Sequence, residues 1–194
     1  MTIIVNDNFQ RANANPIGGI YTTLNLENAI QIVSNLAEGS VTAANNSVID
    51  TSNIYLADQY CIGTIGSAPA NGASFYFYIR CINPTGSWSY MRLKVAQGNA
   101  LATLSRAVSE TATSVATFAL NSLPANGDTY MLWAQGQTYT VAQNGVVIGS
   151  YFDPASTLTS GNPGFGFSTT GILSNSQLSN FQTGDSSAAG AYFG

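Results

Sequence analysis

The sequence has no histidine, only two cysteines, and charged side chains at only 7% of its 194 positions. Each shortage excludes a class of chemistry. Without histidine there is no Ser-His-Asp or Cys-His relay and no imidazole metal site. Two thiols alone do not make a zinc set. Five basic residues, Arg11, Arg80, Arg92, Lys94 and Arg106, are scattered without a run. That leaves no electrostatic footprint for nucleic acid. No stretch approaches the roughly 18 apolar residues of a membrane helix. The opening Met1-Thr2-Ile3-Ile4-Val5 has neither a basic flank nor an apolar run of secretory length. The reading predicts cytoplasmic synthesis, with no membrane insertion and no cofactor.

Catalysis by carboxylates is the remaining enzymatic route. The nine acids are Asp7, Glu27, Glu38, Asp50, Asp58, Glu110, Asp128, Asp153 and Asp185. No two lie within four residues of each other. A glycosidase needs two carboxylates flanking the scissile bond, and alternate positions of one strand would supply them. That spacing is absent, so the sequence predicts a non-enzymatic protein, with a pair assembled from distant strands as the exception. Calcium requires six to eight oxygens. Asp128 and Asp153 could each offer one, but both sit in turn sequences and read as turn formers.

What the chain does have is β-sheet pattern. Apolar residues make up 45% of the sequence. Period-2 stretches include 45–50, 58–65, 74–82, 88–96, 100–108, 113–120, 129–134, 138–142, 146–152, 164–168 and 177–183. Turn signals rich in Gly, Asn and Pro separate them, among them Ala70-Asn71-Gly72, Asn126-Gly127-Asp128 and Asn144-Gly145. Strands recurring about every 8–12 residues indicate a sandwich or a barrel, and the fold expected is an antiparallel two-sheet sandwich. Residues 24–36 fit either a helix or two short strands around Asn28-Ala29, and the β-rich surroundings favour strands. Residues 1–184 read as one domain. The small-residue tail 185–194 should fray unless held. Tyr192 and Phe193 would anchor it on a neighbouring subunit or on its own domain.

Cys61 and Cys81 flank the Asn71 turn almost symmetrically. A hairpin there would oppose them across two strands, as a disulfide or as two reduced, buried thiols.

Ten Tyr, nine Phe and two Trp, with many Asn and Gln, suit sugar binding by ring faces and amides. The candidates are Trp88 with Tyr90, and Trp133 with Tyr139, each weighed against a core role. Trp88, Tyr90 and Arg92 alternate onto one face, and the arginine points that face outward.

Asp7-x-Phe9-x-Arg11-Ala12-Asn13 with Gly18-Gly19 resembles the opening of concanavalin-like, laminin G-like sandwich domains. Gly127-Asp128-Thr129-Tyr130-Met131-Leu132, Thr140-Val141, Asn144-Gly145 and Asp153 are similar to that superfamily's middle region. Gly161-x-Pro163-Gly164-Phe165-Gly166-Phe167 and Leu178-Ser179-Asn180-Phe181 are similar to its closing strands. The resemblance implies a concanavalin-like jelly roll with adjacent N- and C-terminal strands. This fold serves lectins, glucanases, adhesion modules and phage virion proteins. The glucanase carboxylate motif and a lectin calcium cluster are missing. The expectation is a virion-surface structural protein, such as a phage capsid decoration, head-fibre or tail-tip protein, acting as a homo-oligomer or with other virion proteins. The alternative is an extracellular carbohydrate-binding lectin or adhesin recognising cell-surface glycans, and a glycoside hydrolase comes third.

Overall fold

The computed structural model describes residues 1–24, 27–69, 72–83, 86–155 and 158–186. Tyr192 and Phe193 lie outside the described residues, and so does Asn71. Among the described residues, fifteen strands are divided between two antiparallel sheets, forming the predicted sandwich. They are β1 (Thr2–Asp7), β2 (Tyr21–Thr23), β3 (Ile30–Val33), β4 (Leu36–Gly39), β5 (Asn45–Asp50), β6 (Gln59–Ser67), β7 (Ser74–Ile82) and β8 (Ser89–Ala96). There follow β9 (Leu101–Val108), β10 (Thr111–Ala119), β11 (Thr129–Gln135), β12 (Thr138–Gln143), β13 (Val146–Phe152), β14 (Asn162–Ser168) and β15 (Gln177–Asp185). One sheet has eight strands in the order β13-β12-β11-β6-β15-β4-β3, with β1 also on β15. The other has seven, β10-β9-β8-β7-β14-β5-β2. The pairing of β1 with β15 sets the first strand beside the last, with Asp7 opposite Phe181.

Alternation decides what fills the space between the sheets. In β7, Phe75, Phe77 and Ile79 point inward, while Tyr76 and Tyr78 point outward. Phe165 and Phe167 of β14 and Phe181 of β15 join the inner layer, with Phe165 and Phe181 centroids 4.6 Å apart. Each fully buried ring contributes about 1.5–3 kcal/mol of transfer free energy. Rings this large need glycine on the facing strand. A Cβ at Gly63 would sit 2.1 Å from Phe77 Cε1, and one at Gly149 would sit 2.2 Å from Phe118 Cδ1. Phe77 and Phe118 belong to the seven-stranded sheet, and the two glycines to the eight-stranded sheet.

Two cations cross the interior. Arg80, only 1% exposed, donates to the Ala57 carbonyl, the Leu158 carbonyl and Tyr139 Oη, each at 2.9 Å. Its own N–H donates to Gln59 Oε1 at 3.0 Å, across the sandwich. Arg80 sits at a bulge with φ of 55°, where the regular pairing of β7 is interrupted. Arg106 of β9 reaches both oxygens of the buried Asp153, at 2.8 and 2.9 Å.

Residues 30–39 form a β-hairpin, as the strand reading of 24–36 predicted. Its turn is Ser34-Asn35, where both residues have positive φ, and not Asn28-Ala29. This is the two-residue turn whose twist matches a hairpin.

The cysteine expectation needs correction. Strands β6 and β7 are not a hairpin: β6 pairs with β11 and β15, whereas β7 pairs with β8 and β14. Their apolar faces look at each other, as Phe77 over Gly63 shows, so the two strands belong to opposite sheets. Cys61 therefore faces the core and Cys81 joins an outer cluster, both as free, buried thiols.

Two outcomes follow. Gly63→Ala should destabilise the fold by about 1–3 kcal/mol through overpacking against Phe77, read as a lower denaturation midpoint with an unchanged slope. Burial raises both thiol pKa values. A thiol reagent at pH 8 should therefore leave both cysteines unmodified in the native protein and label both after unfolding.

Candidate functional site

The sandwich interior saturates one face of each sheet, so the chemistry must lie outside. The outer face of the seven-stranded sheet carries the richest cluster. Tyr76 and Tyr78 of β7, Tyr90 of β8, Trp88, Ile49, Leu24, Cys81 and Ala107 pack there as one group. Tyr78 and Tyr90 meet edge to face, with centroids 5.1 Å apart. The Arg92 guanidinium stacks over Tyr76 at 4.5 Å and lies 5.9 Å from the Tyr90 ring. Tyr78 Oη and Ser47 Oγ bond at 3.0 Å across β14. The strand between them can only be glycine at that point, because a Cβ at Gly166 would lie 2.1 Å from Ser47 Oγ. Burial holds the Tyr78 and Tyr90 hydroxyls above the ordinary phenol range, so both remain neutral.

Next to these rings lies a cleft of about 430 Å³. Trp88, Ile49 and Ile82 supply its apolar part, and Thr51, Asn83 and Asn162 its polar part. Asn162 Nδ2 is committed to the Asp50 and Asn53 carbonyls. That fixes the amide and leaves Oδ1 as an acceptor. Asn83 is exposed. An aromatic and aliphatic floor with fixed amides and hydroxyls at the margin suits a polyhydroxylated ligand with one apolar face.

Two carboxylates converge on the same face from distant segments. The Glu110 N–H donates to the Trp88 carbonyl at 2.7 Å, and Glu27 lies within electrostatic reach of both Glu110 and Arg92. Glu27 Oε2, Glu110 Oε1 and Arg92 Nε are buried without a hydrogen-bond partner among the described residues. Burial raises the Glu27 pKa; Ser47 and Arg92 oppose the rise and Glu110 adds to it.

The sequence candidates separate onto three environments. Trp88 and Tyr90 share the outer face with Arg92, as alternation predicted, at 8% and 4% exposure. Trp133 lies on the outer face of the other sheet, with Tyr60, Met131 and Ala142. Tyr139 is a correction. It pairs with Ala134 across the hairpin, points into the core, is fully buried and accepts from Arg80, so it cannot serve as a sugar platform. Asp128 accepts from Ala125 N–H and Asn144 Nδ2, the behaviour of a turn former. Asp153 is held by Arg106. Among the described residues, no three His, Cys, Asp or Glu side chains gather as a metal group. No helix among them is long and apolar enough to cross a membrane.

Sequence reasoning missed Tyr76, Tyr78, Glu27 and Glu110. The tyrosines had a signal: in Phe75-Tyr76-Phe77-Tyr78 the phenylalanines take one side and the hydroxylated rings the other. The two glutamates had none, being 83 positions apart.

No family model and no curated protein matches the chain. Solved structures do. A Bacillus subtilis protein of unknown function with a galectin-like fold superposes with a TM-score of 0.69 at 12% identity, over 95% of this chain and 96% of that one. The carbohydrate-binding module CBM66 from Bacillus subtilis gives 0.61 at 11% identity, over 86% and 92%. The Bacillus licheniformis β-glucanase gives 0.65 at 12% identity, over 93% and 97%. These likenesses establish the concanavalin-like, galectin-like sandwich fold.

The Glu27 environment has a pH consequence. Its folded-state pKa is raised, so the native state binds the proton more tightly than the unfolded chain. Stability from this group is then lost as pH rises from the ordinary value of 4.5 through the raised one. Glu27→Gln should flatten that decline, seen as a smaller drop in melting temperature between pH 4.5 and neutrality.

Proposed function

We propose that the chain is a lectin-like, non-enzymatic carbohydrate-binding module that engages glycans on the outer face of the seven-stranded sheet. The observation carrying this reading is the cleft at Trp88, bordered by neutral amides and hydroxyls and backed by the Tyr76, Tyr78 and Tyr90 rings. The fold neighbours support it, since one is itself named a carbohydrate-binding module. They shift the weight from the virion-surface role expected from the sequence to the glycan-binding alternative. The virion and oligomer expectations rest on expected cytoplasmic synthesis, low charge, the fold resemblance and the tail, whose Tyr192 and Phe193 lie outside the described residues.

A binder is favoured over a hydrolase because neither Glu27 nor Glu110 lines the Trp88 cleft, and one oxygen of each is buried. A glycan array followed by calorimetric titration of the strongest hit tests the reading. Asn83→Ala, at an exposed position, should weaken binding about tenfold while leaving the melting temperature within experimental error, and Trp88→Ala should abolish it. Absence of any array signal overturns the proposal. Release of reducing ends from a β-glucan, lost in Glu110→Gln, would replace the binder with an enzyme.

A further inference from the structure

The eight-stranded sheet has an outer feature of its own, on the side of the sandwich opposite Trp88. A cavity of about 230 Å³ opens there, more enclosed than the first cleft. Ile62, Met131 and Ala142 line its apolar part, and Thr64, Asn180 and Gln182 its polar part. Alternation explains the composition. The inward residues of β6, β11 and β15, such as Cys61, Leu132 and Phe181, belong to the core. Their outward neighbours Ile62, Met131 and Gln182 meet at one place, because β6 lies between β11 and β15.

The polar groups are held in position. Asn180 Nδ2 donates to Asn6 Oδ1 at 2.9 Å, and Gln182 Nε2 donates to Tyr60 Oη at 3.0 Å. Each amide thereby keeps its carbonyl oxygen as an acceptor. None of the six side chains carries a charge, so an ionic ligand would be desolvated there without compensation. The volume is below the roughly 300–1,000 Å³ of drug-sized sites, which limits the occupant to about one ring.

We propose that this cavity is a second, independent glycan subsite that takes a single neutral pyranose. The sugar's apolar face lies on Ile62 and Met131, and its hydroxyls bond to Thr64, Asn180 and Gln182. The domain then binds carbohydrate on both faces, which goes beyond the single site proposed above.

The test uses the full chain labelled with nitrogen-15. D-glucose, D-galactose, D-mannose and N-acetylglucosamine are titrated separately into it, and backbone amide shifts are followed. The expected result is saturable, millimolar shifts at Met131, Ala142 and Gln182 with at least one sugar. They should persist in Asn83→Ala, vanish in Ala142→Leu, which fills the cavity, and weaken at least threefold in Thr64→Val. The conservative Thr64→Val variant keeps the test decisive if Ala142→Leu fails to fold. No saturable shift at those three amides with any of the four sugars overturns the second subsite, and so does loss of the shifts in Asn83→Ala. Shifts confined to the Trp88 side would overturn this inference while leaving the first site standing.

Discussion

The spacing of the two sheets is set by rings that fit only where the opposite strand has no side chain. Phe77 occupies the gap at Gly63, and Phe118 the gap at Gly149. Close-packed interiors tolerate neither voids nor intrusions of a methyl group. The facing strands are therefore locked in both separation and lateral position. This constraint also explains why β6 and β7, though consecutive, lie in different sheets. Strands whose apolar faces interdigitate across the core cannot simultaneously pair edge to edge, so the cysteines that flank the connection end on different layers.

Filling the interior with phenylalanine has a consequence outside. Each strand alternates, so the second set of large side chains must face outward, and there the residues change character. Tyrosine replaces phenylalanine on β7, and Trp88, Tyr90 and Arg92 join it. A hydroxylated ring can pack against its neighbours while its oxygen finds a polar partner, as Tyr78 does with Ser47. The outer aromatic layer is thus a derived feature of the core, positioned by the same pleat.

Much of this was legible in the sequence. The span 74–82 appears unchanged as β7 and 146–152 as β13, because their alternation and flanking turns are strong. Face assignment within one strand was also legible, which is why Trp88, Tyr90 and Arg92 were grouped correctly. Partner choice was not. A period of two states which side chains share a face, but not which strand lies alongside. The cysteine hairpin failed for that reason. Tyr139 failed more locally: flanking the same turn as Trp133 says nothing about parity, and the register of Ala134 against Tyr139 turns the ring inward. Glu27 and Glu110 meet only through the sheet order, information that no single segment contains.

The scarcity of charge takes on a different meaning once the structure is known. From composition it reads as a surface property, a face with few ions to desolvate. Yet three of the five basic residues serve packing. Arg80 ties two loops to Tyr139, Arg106 neutralises the buried Asp153, and Arg92 lies flat on Tyr76. Of the others, Arg11 is paired with Asp7 one helical-turn spacing away in sequence, and Lys94 stands on the outer face. The few charges present are mostly structural, and both outer cavities are lined by neutral donors and acceptors over apolar floors. Recognition on such surfaces depends on shape and on hydrogen bonds of fixed direction. Salt screens long-range attraction between exposed charges and leaves short hydrogen bonds nearly untouched. Under the proposed glycan-binding role, such cavities would discriminate through the arrangement of hydroxyl groups, and a ligand's net charge would contribute little.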